Sequence, residues 1–191
     1  IIKNIPQKYG MGGGSMNAAN IFKFFIKKNL ININKNKIKK ITNLIGNDVV
    51  LGLETKNTIL SSNGNLTKFK KKLGFHVLVV KPNFGCSTKF IYSKIKSFSK
   101  AKYNNPKISL LSRANIIKSN NDLETVAFKK YPKLKSLKLY LLKIKNTIFV
   151  RMTGSGSSIV AYFLSKKAAV NAAKVFKRKF KNYWCIVSKI L

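Results

Sequence analysis

The chain has 191 residues, of which 45% are hydrophobic and 11% aromatic, so it can bury a core and wholesale disorder is excluded. Its 39 lysines and arginines against 4 acidic residues give a formal net charge of +35, which invites a nucleic-acid or membrane-surface partner. Two cysteines, Cys86 and Cys185, are too few for a disulfide framework, and no apolar stretch approaches the roughly 18–20 residues of a transmembrane helix.

The chain opens with a pattern of strand, glycine loop and helix. Residues 1–5 are expected to form a strand, and glycine then occupies four of the five positions 10–14. Apolar residues recur at helical spacing from Ala18 to Ile26, and Ser15 is the expected N-cap of this helix.

Helices and strands alternate along the rest of the chain. Strands are predicted over residues 58–60, 76–80, 148–152, 159–163 and 183–187. Helices are predicted over 37–44 and 88–98, from a cap at Asp122 to a stop at Pro132, and over 134–144. A last helix is predicted over 166–176 after a cap at Ser165, and its inward-facing residues are Ala168, Ala169, Ala172, Val175 and Phe176. A turn at 61–65 and an irregular stretch at 99–119 complete the pattern. It indicates an α/β or α+β class, and a lysine run near residue 70 predicts domains over 1–72 and 73–191.

The positive charge is spread along the chain. All basic residues are lysine except Arg113, Arg151 and Arg178, whereas nucleic-acid-binding proteins usually rely on the planar fork of arginine. Lysine, asparagine and isoleucine share AT-rich codons, so genome composition alone could produce this bias. Solvated surface lysines and an anionic partner both remain open as explanations at this point.

A glycine loop between a strand and a helix is suited to binding phosphate. Without Cβ atoms the backbone can approach an anion, and the helix N-terminus adds partial positive charge. The loop lacks the Gly-Lys-Ser/Thr ending of a Walker loop, and Ser15 stands where a dinucleotide motif has its third glycine. A tight turn without a ligand is the alternative interpretation.

Five motifs, in order and spacing, resemble those of the GHMP kinases, the family of galactokinase, homoserine kinase and mevalonate kinase. The first runs from Gly10 to Ala19, with Pro6 ahead of it, and within the family it is most similar to the ATP loop of the 4-diphosphocytidyl-2-C-methyl-D-erythritol kinases. The other four are Gly46-Asn47-Asp48-Val49, Lys81-Pro82 with Ser87-Thr88, Asn121-Asp122-Leu123-Glu124, and Arg151-Met152-Thr153-Gly154-Ser155-Gly156. Met11, Met16 and Val50 depart from the family pattern.

The resemblance implies an α+β, two-domain GHMP kinase fold. A truncated N-terminal domain like domain 2 of ribosomal protein S5 would precede a ferredoxin-like C-terminal domain, with ATP and substrate in the cleft between them. The implied reaction transfers the γ-phosphoryl group of ATP to the 2-hydroxyl of 4-diphosphocytidyl-2-C-methyl-D-erythritol, a step of the non-mevalonate isoprenoid pathway, with Mg²⁺ neutralising the phosphates. Such an enzyme would be a cytoplasmic monomer or homodimer without a nucleic-acid or membrane partner. Two alternatives remain: another GHMP kinase that acts on a different small alcohol, and a non-catalytic basic protein that binds nucleic acid.

Asp48 is the candidate catalytic residue. Phosphorylating an alcohol needs a carboxylate that orients the hydroxyl and accepts its proton, and the resemblance gives this role, with substrate contact, to Asp48. An aspartate that only stabilises a helix end is the alternative. Thr88 is expected to bind the substrate. No metal-ligating set is expected in the chain. The residues implied to bind ATP are Gly10, Met11, Gly12, Gly13, Gly14, Ser15, Asn17, Gly154, Ser155 and Gly156.

The three other acidic residues are expected to be structural. Asp122 is predicted to cap a helix, Glu124 to lie in its first turn, and Glu54 to lie on the surface. The family pattern also includes a segment before the ATP loop, with a lysine that supports the catalytic aspartate and with a histidine and aromatics that hold cytidine. None of these maps onto the present residues, so we expect this chain alone to be inactive and its first half to be marginally folded.

Overall fold

The computed structural model describes residues 10–46, 48–61, 64–70, 73–100 and 107–190. They form two compact units. The helical unit comprises the described residues of 12–71 and 101–108, and the sheet unit comprises those of 1–11, 72–100 and 109–191. The predicted strand over residues 1–5 lies outside the described residues.

The helical unit consists of three helices followed by a hairpin. Its elements are α1 (Gly13–Lys27), α2 (Lys35–Ile45), α3 (Val49–Gly52), β1 (Asn57–Leu60) and β2 (Leu66–Phe69). Helices α1 and α3 pack closely because Gly52 has no side chain: a Cβ there would lie 2.6 Å from the Cβ of Ala19 and 2.9 Å from the Cε of Met16. Gly52 therefore fixes how the segment after Asp48 lies on α1.

The strand β2 is absent from the sequence prediction. It pairs antiparallel with β1, Asn57 opposite Phe69 and Leu60 opposite Leu66. The lysine run that begins at Lys68 suggests a solvated loop, but Lys68 is the single lysine of β2, and its exposed side chain forms an ion pair with Glu54 at 2.7 Å. Glu54 is itself half-buried, with 20% of its side chain exposed, so the surface role expected for it is met only in part.

The sheet unit contains a four-stranded antiparallel sheet. Its strands are β3 (His76–Lys81), β4 (Phe149–Met152), β5 (Ile159–Phe163) and β6 (Trp184–Lys189), in the order β4-β5-β3-β6. The central strand β3 places Val79 between Val160 of β5 and Ile186 of β6. Because β4 and β5 are antiparallel neighbours, the loop that joins them projects from one end of the sheet.

Helices lie on both faces of this sheet. Helix α5 (Arg113–Lys118), which follows a 3₁₀ turn at Ile108–Leu110, lies on one face, where Ile116 packs with Phe75 and Phe149. The other face is covered by α4 (Thr88–Ser93), α6 (Leu123–Lys130), α7 (Pro132–Leu142) and α8 (Lys166–Lys179). Leu134, Leu137 and Leu141 of α7 form one core with Ala169, Ala172 and Phe176 of α8 and with the side chains of this sheet face. The α+β class is confirmed. Among the described residues, no helix has both the length and the apolar character needed to cross a bilayer.

Three helix predictions need correction. The helix at Thr88 ends at Ser93 instead of Phe98, and α5 lies inside the stretch predicted to be irregular. Val175 fits the apolar pattern of α8 but is 43% exposed, because the inward stripe follows positions 169, 172 and 176 and leaves 175 at its edge.

Candidate functional site

The first glycine loop begins α1 in a way that the sequence did not predict. Gly12, with φ +63°, is the N-cap, and the helix begins at Gly13, so Ser15 is its third residue and not its cap. The first amides of α1 have no acceptor within the helix, and Gly12 has no side chain that could cap them. Among the described residues, no atom beyond the adjoining residues and the backbone of α1 itself lies within 4 Å of a Cβ built at Gly12, Gly13 or Gly14. This open, amide-lined face fits an anion.

The start of the first loop lies against the loop that joins β4 and β5. A Cβ built at Gly10 would lie 2.5 Å from the carbonyl oxygen of Thr153 and 2.7 Å from that of Gly156. A Cβ at Gly154 would in turn lie 2.9 Å from the carbonyl oxygen of Gly10. The two glycine loops therefore contact each other through their backbones, and only glycine leaves room for this. The side chain of Met11 packs against the cluster that Val77, Val79 and Val160 form on the sheet.

The loop at 153–158, called the second glycine loop from here on, closes on itself and on the segment after β3. The Gly156 amide donates to the Thr153 carbonyl at 2.8 Å. The hydroxyls of Ser155 and Thr88 share a hydrogen bond of 2.8 Å, and the Ser157 hydroxyl donates to the Phe84 carbonyl at 2.7 Å. Two residues expected to bind different parts of the reactants, Thr88 and Ser155, are thus in direct contact.

Asp48 and Ser15 are carried by neighbouring segments of the helical unit. A Cβ built at Gly46, the C-cap of α2, would lie 3.9 Å from the Oγ of Ser15. Asp48 follows two residues later at the N-cap position of α3, where its side chain makes no capping bond and is exposed. Within the described part of the chain, it forms no ion pair. Its carboxylate is therefore not committed to stabilising a helix end. Asn47, in the same motif, lies outside the described residues.

Asp122 and Glu124 have other partners than the sequence predicted. Asp122 does not cap α6 with its side chain; its carboxylate accepts from the amide and the hydroxyl of Ser99, at 2.8 and 2.9 Å. The Leu123 amide is bonded instead to the Asn121 side chain at 3.0 Å. Glu124 is more than a favourable first-turn acid, because its Oε1 accepts from the Met152 amide at 2.7 Å. Both acids remain structural, but through tertiary contacts.

Lys81 and Cys86 lie on the segment that supports the second glycine loop. Lys81 is buried, and its ammonium donates to the carbonyls of Pro82 at 2.8 Å and Phe84 at 3.4 Å. Burial lowers the pKa of Lys81, while the nearby Cys86 opposes that shift. Burial raises the pKa of the Cys86 thiol to about 11, against the opposing effect of the Lys81 charge. The lysine therefore fixes the carbonyl to which Ser157 also donates, and the cysteine is held as an unreactive thiol.

The contacts of some residues that shape the site left no signal in the sequence. Asn121, Ser157 and Lys81 lie in or beside the matched motifs, but their partners are 31 to 73 residues away or are backbone carbonyls. Hydrophobic periodicity and turn propensities do not encode such contacts. Among the described residues, no three His, Cys, Asp or Glu side chains converge to hold a metal ion.

Comparison with known proteins identifies the family. The family model of the C-terminal region of GHMP kinases matches residues 106–182. A protein from Pelagibacter ubique, named 4-diphosphocytidyl-2-C-methyl-D-erythritol kinase, is 60% identical over 191 residues, which are 100% of this chain and 68% of that protein. The chain belongs to the 4-diphosphocytidyl-2-C-methyl-D-erythritol kinase family of GHMP kinases.

Other relatives agree with this assignment. A protein of the same name from Petrotoga mobilis is 34% identical over 167 residues, which are 83% of this chain and 64% of that protein. The chain thus spans about two thirds of the length of these kinases. A crystal structure of 4-(cytidine 5'-diphospho)-2C-methyl-D-erythritol kinase matches with a TM-score of 0.75 and 22% identity, covering 97% of this chain and 68% of that one. Homoserine kinase from Cytophaga hutchinsonii matches with a TM-score of 0.70 and 15% identity, covering 99% of this chain and 68% of that one, which shows a shared fold.

Proposed function

We propose that this protein transfers the γ-phosphoryl group of ATP to the 2-hydroxyl of 4-diphosphocytidyl-2-C-methyl-D-erythritol, a step of the non-mevalonate isoprenoid pathway. The observation that carries the proposal is the 60% identity, along the whole chain, to a relative named for this activity. Membership in a kinase family implies the use of ATP. We further infer that residues 1–72 and 73–191 are its two domains and that it works in the cytoplasm, where ATP is available.

The glycine loops would bind the phosphates of ATP. The open face of Gly12, Gly13 and Gly14 lets the backbone approach an anion, and the first amides of α1 can donate to it. The whole set proposed for ATP is Gly10, Met11, Gly12, Gly13, Gly14, Ser15, Asn17, Gly154, Ser155 and Gly156. Mg²⁺, when bound, neutralises phosphate charge. The hydroxyl oxygen of Ser15 is a hard ligand that would suit Mg²⁺, beside the phosphates themselves.

Asp48 would orient the acceptor hydroxyl and accept its proton. Three features support this role: its carboxylate is exposed, it is not used in capping α3, and its segment lies beside Ser15 of the phosphate-binding helix. Thr88 would contact the substrate at the edge of the second glycine loop, through the hydroxyl that is hydrogen-bonded to Ser155. The net charge of +35 would draw in both anionic reactants.

The test is an assay of ATP-dependent phosphorylation with Asp48→Asn beside the parent. We would measure both the 191-residue chain and a chimera in which it replaces the matching region of the Pelagibacter ubique relative. Replacement of a catalytic acid–base group should lower kcat by about 10²–10⁴-fold. Glu54→Gln is the matched control, because it removes one negative charge of the same unit at a surface ion pair, and it should retain activity.

Two results would count against the proposal. If Asp48→Asn keeps the activity of the chimera, Asp48 is not the base. If the chimera binds ATP but phosphorylates homoserine instead of the cytidyl substrate, the acceptor is that of the other GHMP kinase whose fold matches this chain.

A further inference from the structure

We infer that Asn121 is a positioning residue that fixes the second glycine loop and, through it, the place where the first glycine loop begins. The inference rests on the proposed function, in which both loops bind ATP. Asn121 precedes α6, whereas the second glycine loop follows β4, so the link between them is tertiary.

The side-chain amide of Asn121 bridges the two ends of a turn. Its Nδ2 donates to the carbonyl of Met152 at 2.9 Å and to that of Gly154 at 2.8 Å. Its Oδ1 accepts from the Leu123 amide at 3.0 Å. An asparagine has two N–H donors and one carbonyl acceptor, so this side chain uses one donor on the end of β4 and the other on the second glycine loop. The bond to the Leu123 amide also fixes which atom of the side chain is oxygen.

The two carbonyls that Asn121 holds lie on either side of Thr153. Fixing both of them sets the direction of the Thr153 carbonyl, the atom that comes within 2.5 Å of a Cβ built at Gly10. Gly154 adopts φ +45° and faces the Gly10 carbonyl, where a Cβ would lie at 2.9 Å. Any shift of the turn therefore changes the surface on which Gly10 lies.

Glu124 anchors the same strand end from the first turn of α6. Its Oε1 accepts from the Met152 amide at 2.7 Å, and its Oε2 pairs with Lys138 of α7 at 2.6 Å. The N–H and the C=O of Met152 are thus both bonded to side chains at the start of α6. Glu124 bonds only the end of β4 in this region, whereas Asn121 also bonds Gly154 in the second glycine loop.

The experiment compares Asn121→Asp with Asn115→Asp in the 191-residue chain. In Asn121→Asp one carboxylate oxygen would still accept from the Leu123 amide. The other oxygen would replace Nδ2, so it could not donate to the carbonyls of Met152 and Gly154. Asn115 is the matched control, because its side-chain amide also donates to a backbone carbonyl, that of Ser109, which belongs to neither glycine loop. The readouts are the amide NMR resonances of Gly10, Gly154 and Gly156 without nucleotide, the Kd for ATP, and the melting temperature.

Asn121→Asp should shift these three resonances and raise the Kd for ATP by about tenfold, the effect of losing roughly one hydrogen bond in the bound geometry. Asn115→Asp should leave the three resonances and the Kd for ATP unchanged, even if it lowers the melting temperature as much as Asn121→Asp does. Asn121→Ser, which keeps one donor and introduces no charge, should give intermediate shifts and serves if Asn121→Asp does not fold.

The outcomes separate the inference from the proposed function. Loop resonances that stay in place in both Asn121 variants overturn the inference, whether or not ATP binds. Shifted resonances with an unchanged Kd for ATP overturn it as well. Shifted resonances in a chain whose parent form binds no ATP support the positioning of the loop and refute the proposed ATP site instead.

Discussion

Replacing Gly10 by alanine tests the contact between the two glycine loops. Gly10 has φ +67°, and a Cβ there would lie within 2.8 Å of three backbone atoms of Thr153 and Gly156. An alanine in the left-handed region costs about 1–2 kcal/mol. Backbone atoms move less easily than the end of a side chain, so the added methyl should cost about 1–3 kcal/mol more, as in an overpacked core.

Gly74 provides a control in the same unit. It has the same φ of +67°, but the nearest atom to its added Cβ is an Nη2 of the Arg113 side chain at 2.8 Å. That guanidinium can move aside, so Gly74→Ala should cost little beyond the left-handed strain, about 1–2 kcal/mol. The free energy of unfolding should therefore fall by about 2–5 kcal/mol in Gly10→Ala and by less in Gly74→Ala.

Urea unfolding followed by Trp184 fluorescence measures both changes. Trp184 is the single tryptophan and lies in β6. Gly10 and Gly74 belong to the same unit as Trp184. The two midpoints, at a common m-value, convert directly into the difference in unfolding free energy. An equal loss of stability in the two variants would refute the reasoning. Backbone strain alone would then explain the effect of Gly10→Ala, and the contact between the two loops would add nothing.

Three further predictions concern the core, a buried thiol and the net charge. Leu141→Ala should lower the free energy of unfolding by about 2–5 kcal/mol, because Leu141 is fully buried. Leu142→Ala, at a 43% exposed site, should change it little. Urea unfolding measures both variants, and similar losses of stability would contradict the described core. Since burial raises the pKa of Cys86 to about 11, the folded state holds the thiol proton more tightly than the unfolded state does. The resulting contribution of Cys86 to the free energy of unfolding is complete below pH ~8.5 and is lost as the pH rises to about 11. The stability of the parent relative to Cys86→Ala should fall over that window, and a difference independent of pH would speak against the burial of the thiol. Finally, the melting temperature should rise from low to moderate salt as the repulsion among the charges behind the net +35 is screened, and an unchanged value would contradict this expectation.

Local sequence determined several of the regular elements of the sheet unit. The predicted strand over 159–163 is present with these bounds as β5. Ser165 caps α8 as expected, because its hydroxyl accepts from the Ala168 amide at 3.1 Å. Such elements follow from short-range causes: side-chain periodicity selects helix or strand, and a hydroxyl placed three residues before an amide satisfies it. The motifs, too, lie in the sequence, because they are runs of neighbouring residues.

The start of α1 shows where local rules reach their limit. Ser15 has the residue type of an N-cap, but Gly12 takes the left-handed conformation and begins the helix earlier than a cap at Ser15 allows. Strand β2 escapes prediction for a related reason. The lysine run that begins at Lys68 is typical of a loop, and only the pairing with β1 supplies the hydrogen bonds that make the extended conformation favourable.

Only the tertiary structure decided how the second glycine loop is held. Thr88 reaches Ser155 across 67 residues of sequence, Ser157 reaches Phe84 across 73, and Asn121 reaches Gly154 across 33. Each of these bonds joins a short polar side chain to an atom that packing brings near. The sequence therefore determined the family, most of the elements and the motif residues of this protein. Their partners were set by the antiparallel pairing of β3, β4 and β5 and by the packing of the helices, because a hydrogen bond depends on distance in space and not on separation along the chain.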